Sequence, residues 1–491
     1  MTWSPDANAS PDGAVSLPAP NTPPTKPVRF DVSRFDAGVA QHDQYRMALE
    51  HLYGRLDTEA LAPDVFNTVD RDLQVYRSFL ERLGDPHRSC PAIHVTGTRG
   101  KGSFAASLEA ILHQAGYRTG ATVSPHLVEV RERIRIDGQD LSREEFARLY
   151  HSLLKPAMEA ENYQESYRTV FELITALAFL AFRDMDVDVA VVEVGMGGRL
   201  DATNVLEPAL SAITRVGLDH TKVLGDTIEK IAWDKAHILK PGVPGVIGPQ
   251  SPAALSMIEE RATFIDSELW RIGYEIQLDA VEVSDRSTRF HLKTPARDHR
   301  ELETPLLGAH MAENVGLAVA AADRLHVDGE FLIPPEAIRK GLLKTSWPGR
   351  AEILQRNPLV MIDGAHSPLG ASALKRLLDD VWPDRPRVLL LGVNRDKDVN
   401  GFLNALDEKP ALTIATAADT PRAMTSGELA GLLKNRGWDT RSAPLPQAFD
   451  LALAEASQRD AIVIGTGSLY LVGALRRLWL TRNQQYPTFG A

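Results

Sequence analysis

The chain has 491 residues, a net charge of −11 and one cysteine, Cys90. That length suits two domains better than one. The acidic balance argues against a general nucleic-acid or membrane-surface binder, and a single thiol excludes an intrachain disulfide and a multi-cysteine zinc site. No apolar run approaches membrane-spanning length, and no basic stretch precedes an apolar core at the N-terminus, so the expected location is cytoplasmic, with no nucleic-acid or membrane partner.

In chain order, residues 1–38 are expected to be a disordered tail. Pro5, Pro11, Pro18, Pro20, Pro23, Pro24 and Pro27 stand there among Ser, Asn, Asp and Ala, a mixture that cannot pack a core. Helical periodicity follows over 45–52 and 73–83, with Gly54 and Gly84 placed to end the two helices. A strand at 92–95 then runs into Gly97-Thr98-Arg99-Gly100-Lys101-Gly102-Ser103 and an apolar-periodic helix over 104–115. Strand, glycine loop and helix in that order form a phosphate cradle. Glycines let backbone N–H groups converge on phosphate oxygens, and the helix N-terminus adds the positive end of its dipole. Lys101 can reach the outer phosphates and Ser103 can ligate Mg²⁺, although Gly102 separates them in a way the standard loop does not. The bland reading is a tight structural turn.

Further on, helices are predicted over 144–161 and 171–183. The run 188–194 (DVAVVEV) has the near-continuous apolarity of a strand buried on both faces. Segments 210–216 and 243–247 repeat it, with a helix over 227–239 between them. Glu193 ends the first of these strands and leads into Gly195-Met-Gly-Gly-Arg-Leu-Asp-Ala-Thr-Asn204, where a carboxylate can hold Mg²⁺ or cap the loop. Asp219-His220 reads alone as a loop hydrogen-bonding pair, and Lys235 as a solvated helix lysine. The alternation over 277–294 suggests an antiparallel excursion, and 308–325 an alanine-rich helix. After Trp347-Pro348-Gly349-Arg350, strands at 359–362, 387–391, 412–415 and 461–464 restart the alternation, and Asp363-Gly-Ala-His366-Ser-Pro368 reads as a turn with two polar groups aimed outward. The fold expectation is α/β: a P-loop-type, mostly parallel sheet domain over 39–346, then a smaller Rossmann-like α/β domain over 347–491.

The segments HVTGTRGKGS, SPHLVEVRERIRIDG, VVEVGMGGRLDATN, ITRVGLDHTKVLGDTIEKIAWDKA, GAHMAEN, WPGR, DGAHSP and GTGSLYLVGALR occur in one order. Over roughly residues 45–480 the chain closely resembles the folylpolyglutamate synthase / dihydrofolate synthase branch of the Mur ligase superfamily. The resemblance implies a Mur-ligase-like central domain and a glutamate-ligase C-terminal domain. It places ATP on Gly97, Thr98, Gly100, Lys101, Gly102, Ser103, Asn314, Arg350 and Asp363. It places Mg²⁺, two ions in all, on Ser124, Glu193 and His220. It makes Lys235 a carbamylated lysine and sets His366 in an interdomain phosphate-side motif, both with Lys101 as catalytic residues. The folate or pteroate contacts fall on Thr169, Phe171, Glu172, Leu200, Asp201 and Ala202. The implied reaction passes the γ-phosphoryl group of ATP to a folate or dihydropteroate carboxylate, after which the amine of L-glutamate displaces phosphate. A monomer acting on small molecules is expected. The family usually carries Asn at Arg99 and at Ser367, Gln at Met311 and Gly at His237, and the segment 66–71 matches it poorly. A Mur-like ligase with another carboxylate acceptor, or a nucleotide-binding protein without turnover, are the alternatives.

Overall fold

The computed structural model describes residues 44–54, 72–160, 168–406 and 409–484; the tail expected over 1–38 and the segment 66–71 lie outside the described residues. Two strands, β1 (Ala92–Thr96) and β5 (Val189–Glu193), are buried at every position, as strands covered on both faces must be. They pair in parallel at the centre of an eight-stranded sheet ordered β4-β3-β2-β5-β1-β6-β7-β8. Here β2 is Thr119–Thr122, β3 Ile134–Ile136, β4 Gln139–Asp140, β6 Leu210–Ile213, β7 Gly245–Ile247 and β8 Leu269–Arg271. The pairings β2–β3 and β3–β4 are antiparallel and the others parallel.

Each face of this sheet has its own apolar layer. On one, Phe146, Leu177, Phe179 and Phe182 pack with Tyr45, Leu49 and Phe79 of the helices Gln44–Tyr53 and Leu73–Arg82. On the other, the helix Lys101–Gln114 packs beside the helices Ala309–Val327 and Pro335–Lys344. Gly341 belongs to that contact, because a Cβ there would strike the backbone of Ile111. A three-stranded antiparallel sheet, β9 (Gln277–Val283), β10 (Thr288–Lys293) and β11 (Asp298–Thr304), lays Phe290, Leu292 and Leu302 on the helix Ala309–Val327. The second large sheet has six strands in the order β12-β13-β17-β14-β15-β16: β12 Glu352–Arg356, β13 Leu359–Asp363, β14 Arg387–Leu391, β15 Leu412–Ala415, β16 Thr440–Ser442 and β17 Ile462–Thr466. Only the β12–β13 pairing is antiparallel, and helices again cover both faces.

The architecture is the expected one: a mostly parallel α/β sheet followed by a smaller α/β sheet. Several local expectations need correction. The helix expected over 144–161 is broken into Arg143–Leu149, a wide π turn Tyr150–Leu154, and Lys155–Ala160. Pro156 explains the break, because it has no N–H for an i−4 bond and its ring crowds the preceding turn. The phosphate-loop helix starts at Lys101, three residues before the predicted start, because Gly100 at φ 89° closes the loop immediately ahead of it. The helix predicted over 227–239 ends at Ala236, and the strand predicted over 210–216 ends at Ile213. The antiparallel excursion over 277–294 is present and carries β11 as an unforeseen third strand.

Candidate functional site

The parallel order of β1, β5 and β6 brings their carboxyl ends to one edge, and the polar residues expected to act lie on the loops leaving that edge. The loop after β1 turns through Gly97 (φ 151°) and Gly100 (φ 89°). Both positions are also sterically closed to a side chain. A Cβ on Gly97 would overlap Thr214 Oγ1, and one on Gly100 would overlap the Asn314 amide. Gly102 meets the indole of Trp347 in the same way. Thr98 is anchored by mutual hydrogen bonds with Gly217, its hydroxyl donating to the carbonyl at 3.0 Å and accepting the N–H at 3.0 Å.

Three charged side chains converge beneath this loop. Lys101 Nζ lies 3.6 Å from Glu193 Oε1 and donates to the Gly97 carbonyl at 3.4 Å, and Lys235 Nζ donates to the same carbonyl at 2.9 Å. Glu193 is buried at the end of β5, and its Oε2 accepts the backbone N–H of Ser124 at 3.1 Å. Burial pushes the Glu193 carboxyl above its usual range, with Lys101 opposing the shift. Burial, reinforced by Lys101, brings Lys235 down to about 7. Lys235 is therefore no solvated helix lysine. His220 sits at φ 49° after β6, its N–H donating to Asp219 Oδ1 at 2.9 Å; burial holds its imidazole below the ordinary value, with Lys397, Lys101 and Lys235 adding to the effect. Ser124, Glu193 and His220 thus border one region, Ser124 meeting Glu193 through its backbone.

Other expected nucleotide residues brace the loop. Asn314 Nδ2 donates to Ser103 Oγ at 3.1 Å, and Ser103 in turn donates to the Gly100 carbonyl at 3.1 Å. From the second sheet, Asp363 at the end of β13 accepts the N–H groups of Ala351 and Ala365, each at 2.8 Å. Arg350 lies against Gly364, where a Cβ would meet its guanidinium. His366 Nδ1 donates to the Gly364 carbonyl at 2.8 Å, which leaves Nε2 as a lone-pair acceptor. Burial, with Lys397 next, brings its pKa down to about 4, so the ring is neutral at pH 7.

The residues expected to face a pteroate or folate form a second group. Thr169 caps the helix Val170–Asp184 in a reciprocal capping box with Glu172. The ring of Phe171 closes over Gly195. Asp201 takes the N–H groups of Met196 and Thr203 at 3.0 Å and the Thr203 hydroxyl at 2.6 Å, with Ala202 buried beside it and Leu200 partly exposed. Because that hydroxyl proton goes to Asp201, the ring nitrogen His94 Nε2, 2.8 Å from Thr203 Oγ1, must be the donor to it. With Thr96 Oγ1 donating to the Gly197 carbonyl at 2.6 Å, β1 thus braces the whole 195–205 loop. The sequence reading did not single out His94, Thr96, Lys397 or His310. Lys397 follows a parallel strand of the second sheet, a position that signals a site; His94 and Thr96 look like ordinary strand residues.

Among the described residues no group of three or more His, Cys, Asp or Glu is placed to hold a metal ion, and no helix is long and apolar enough to cross a membrane. Residues 95–322 match the Mur ligase middle domain, and residues 349–469 match the Mur ligase glutamate ligase domain. A dihydrofolate synthase/folylpolyglutamate synthase from Bacillus subtilis is 33% identical over 82% of this chain and 93% of its own length. Folylpolyglutamate synthase of Mycobacterium tuberculosis, solved in complex with ADP, superposes with a TM-score of 0.81 at 32% identity, covering 89% of this chain and 98% of that one. Escherichia coli FolC, solved with DHPP and ADP, gives 0.76 at 30% identity, covering 89% of this chain and 98% of that one. The chain belongs to the dihydrofolate synthase/folylpolyglutamate synthase family and is an ATP-dependent ligase of the Mur ligase type.

Proposed function

We propose that the protein joins L-glutamate to the carboxylate of a folate or dihydropteroate acceptor at the expense of ATP, working as a cytoplasmic monomer whose two catalytic units divide near residue 346. The observation that carries this reading is the convergence of Lys101 and Lys235 on the Gly97 carbonyl, with Glu193 paired to Lys101, at the mouth of a loop closed to side chains. A carboxylate is a poor electrophile, so the acceptor must be activated. Transfer of the γ-phosphoryl group to a carboxylate oxygen breaks the terminal P–O bond, releases ADP and leaves an acyl phosphate. The glutamate amine then attacks the acyl carbon, the C–O bond to phosphate breaks, and the amine proton leaves with the products.

Positioning and neutralisation of charge make up most of such a transfer. The loop N–H groups and Lys101 hold the phosphates, Asn314 and Ser103 keep the loop in shape, and Arg350 and Asp363 bring in the second unit on the nucleotide side. His366, neutral with Nε2 as a lone-pair acceptor, accepts a hydrogen bond from the incoming glutamate amine and orients it. Thr169, Phe171, Glu172, Leu200, Asp201 and Ala202 border the acceptor. The donor set fits Mg²⁺: Glu193 is a buried carboxylate, with Ser124 and His220 beside it, and a hard cation that keeps waters and phosphate oxygens needs few protein ligands. When bound, Mg²⁺ neutralises the charge that gathers on the phosphates. Carbamylation of Lys235 belongs to the same proposal: an amine near pKa 7 is partly neutral and able to add CO₂, and the product is an anionic oxygen ligand.

The test is a matrix of acceptors against ATP and glutamate, read by mass. Amide product and ADP that require both an acceptor and glutamate support the reading. Product with a different carboxylate only would move the protein to another acceptor class, and ADP binding without turnover would leave a nucleotide-binding protein. For the carbamate, Lys235→Ala should be nearly inactive and regain part of its activity with a short carboxylic acid in bicarbonate-free buffer.

A further inference from the structure

The side chain of Arg99 leaves the phosphate loop and crosses to the second sheet. Its Nη2 donates to Ser367 Oγ, and Ser367 is the N-cap of the helix Pro368–Val381. Its Nη1 lies against Gly370 in the first turn of that helix, where a Cβ would come within 2.9 Å. Leu369 of the same turn packs on Gly217, in the loop whose carbonyl holds Thr98. The start of this helix is therefore seated on the nucleotide loop, and Arg99 is the polar part of the seat.

Charges of both signs meet around the seat. Arg99 Nε is buried without a hydrogen-bond partner among the described residues. Burial weighs against the guanidinium charge, Asp219 and Asp363 favour it, and Arg350 repels it. Arg350 and Lys397 stand on the second unit, and His310 and His366 face the same region and are themselves held below their ordinary values, with burial the first cause of each. Cations brought together from two units repel one another until an anion lies among them. A planar guanidinium can hold an acceptor along one edge and keep further donors for a second partner, which a lysine ammonium cannot do in one fixed plane.

We propose that Arg99 is a positioning residue that latches the N-terminus of the helix Pro368–Val381 onto the phosphate loop, so that the second unit is held in its working position when an anionic nucleotide fills the loop. The inference rests on the nucleotide reading above. It requires no direct bond from Arg99 to the transferring group: Arg99 sets the distance between the nucleotide loop and the unit that carries Asp363 and His366.

The test is a double-mutant cycle of Arg99→Ala and Ser367→Gly in the full chain, with Arg99→Lys as the conservative variant. Glycine is tolerated at N-cap positions, so Ser367→Gly removes the acceptor with little loss of capping. The readouts are kcat, the KM for each substrate, the ADP dissociation constant by calorimetry, and hydrogen exchange over residues 366–371 with ADP bound. Arg99→Ala is expected to lower kcat about tenfold and to speed exchange of that turn, with ADP affinity within about threefold of the parent, and the double variant to be no worse than Arg99→Ala alone. Arg99→Lys should fall between. Additive effects, unchanged exchange, or a loss of ADP affinity that accounts for the whole defect would overturn the latch. If Arg99→Ala fails to fold, Ser367→Gly and Arg99→Lys decide by the same readouts. Failure of the parent protein to bind ADP would instead defeat the nucleotide reading itself.

Discussion

Lys101 and Lys235 point at one carbonyl oxygen, yet their surroundings give them different work. Lys101 keeps some exposure and pairs with Glu193, whereas Lys235 is buried. Lys101→Ala is expected to lower turnover by about a hundredfold, on the order of 3 kcal/mol for a lost preorganised charge at a reacting phosphate. The fold should survive, since no apolar contact is lost; near-normal turnover at saturating MgATP would sink the assignment of the loop. Lys235 makes a prediction in pH. Its folded pKa of about 7 lies below the ordinary lysine value of 10.5, so between these values the unfolded chain holds a proton that the folded chain lacks. Stability from this residue therefore rises with pH across that window, and below pH 7 the cost of burying the charge is fully present. In CO₂-free buffer, urea titrations should give a smaller rise in stability from pH 7 to pH 10 for Lys235→Met than for the parent. Parallel curves would contradict the buried, depressed amine.

At the scale of elements, the capping box of Thr169 and Glu172 joins helix stability to the proposed acceptor region. The Thr169 hydroxyl accepts the Glu172 N–H at 3.2 Å, and Glu172 Oε2 accepts the Thr169 N–H at 2.8 Å. Thr169→Ala should cost about 1 kcal/mol of stability, the usual value of an N-cap hydroxyl. It should also raise the KM for the acceptor while leaving the KM for ATP in place, and Thr169→Ser should preserve both. A variant that loses stability alone would confine Thr169 to capping. The same scale explains the brace from β1: His94 and Thr96, alternate residues of one strand, share a face and hold the 195–205 loop.

For the molecule as a whole, the two sheets meet at more than the phosphate loop. The segment 127–129 is gathered by Glu132, which accepts the N–H groups of Leu127, Val128 and Glu129 at 2.7, 2.9 and 2.8 Å. Leu127 so held packs on Gly349 and Gly473 of the second unit, and Arg477 donates to the Val128 carbonyl at 2.9 Å. Gly473 lies inside the helix Leu469–Arg482, where a Cβ would strike the Leu127 carbonyl. Helix propensity alone would make Gly473→Ala stabilising by roughly 1 kcal/mol. The interface predicts the opposite: a lower melting temperature and reduced kcat, with ADP affinity little changed. A more stable and fully active variant would show that the units do not depend on this contact.

Much of this protein was legible in the chain itself. Continuous apolar runs such as 188–194 identify buried parallel strands because a strand covered on both faces has no polar side to show, and the glycines at 97 and 100 announce a loop because few other residues accept those backbone angles. The order of motifs carried the family. Local pattern was silent where an element is short or polar: β2 (Thr119–Thr122) has no alternation to betray it, β4 (Gln139–Asp140) is two exposed polar residues, and β16 (Thr440–Ser442) is three residues, two of them exposed. Tertiary structure alone decided that Lys235, on a helix that reads as solvated, is buried with a depressed pKa, since only packing sets the dielectric around an amine. It also decided that Arg99 and Ser367, 268 residues apart, touch each other. A sequence specifies which side chains are available; distances between loops on two separate sheets come from how those sheets pack.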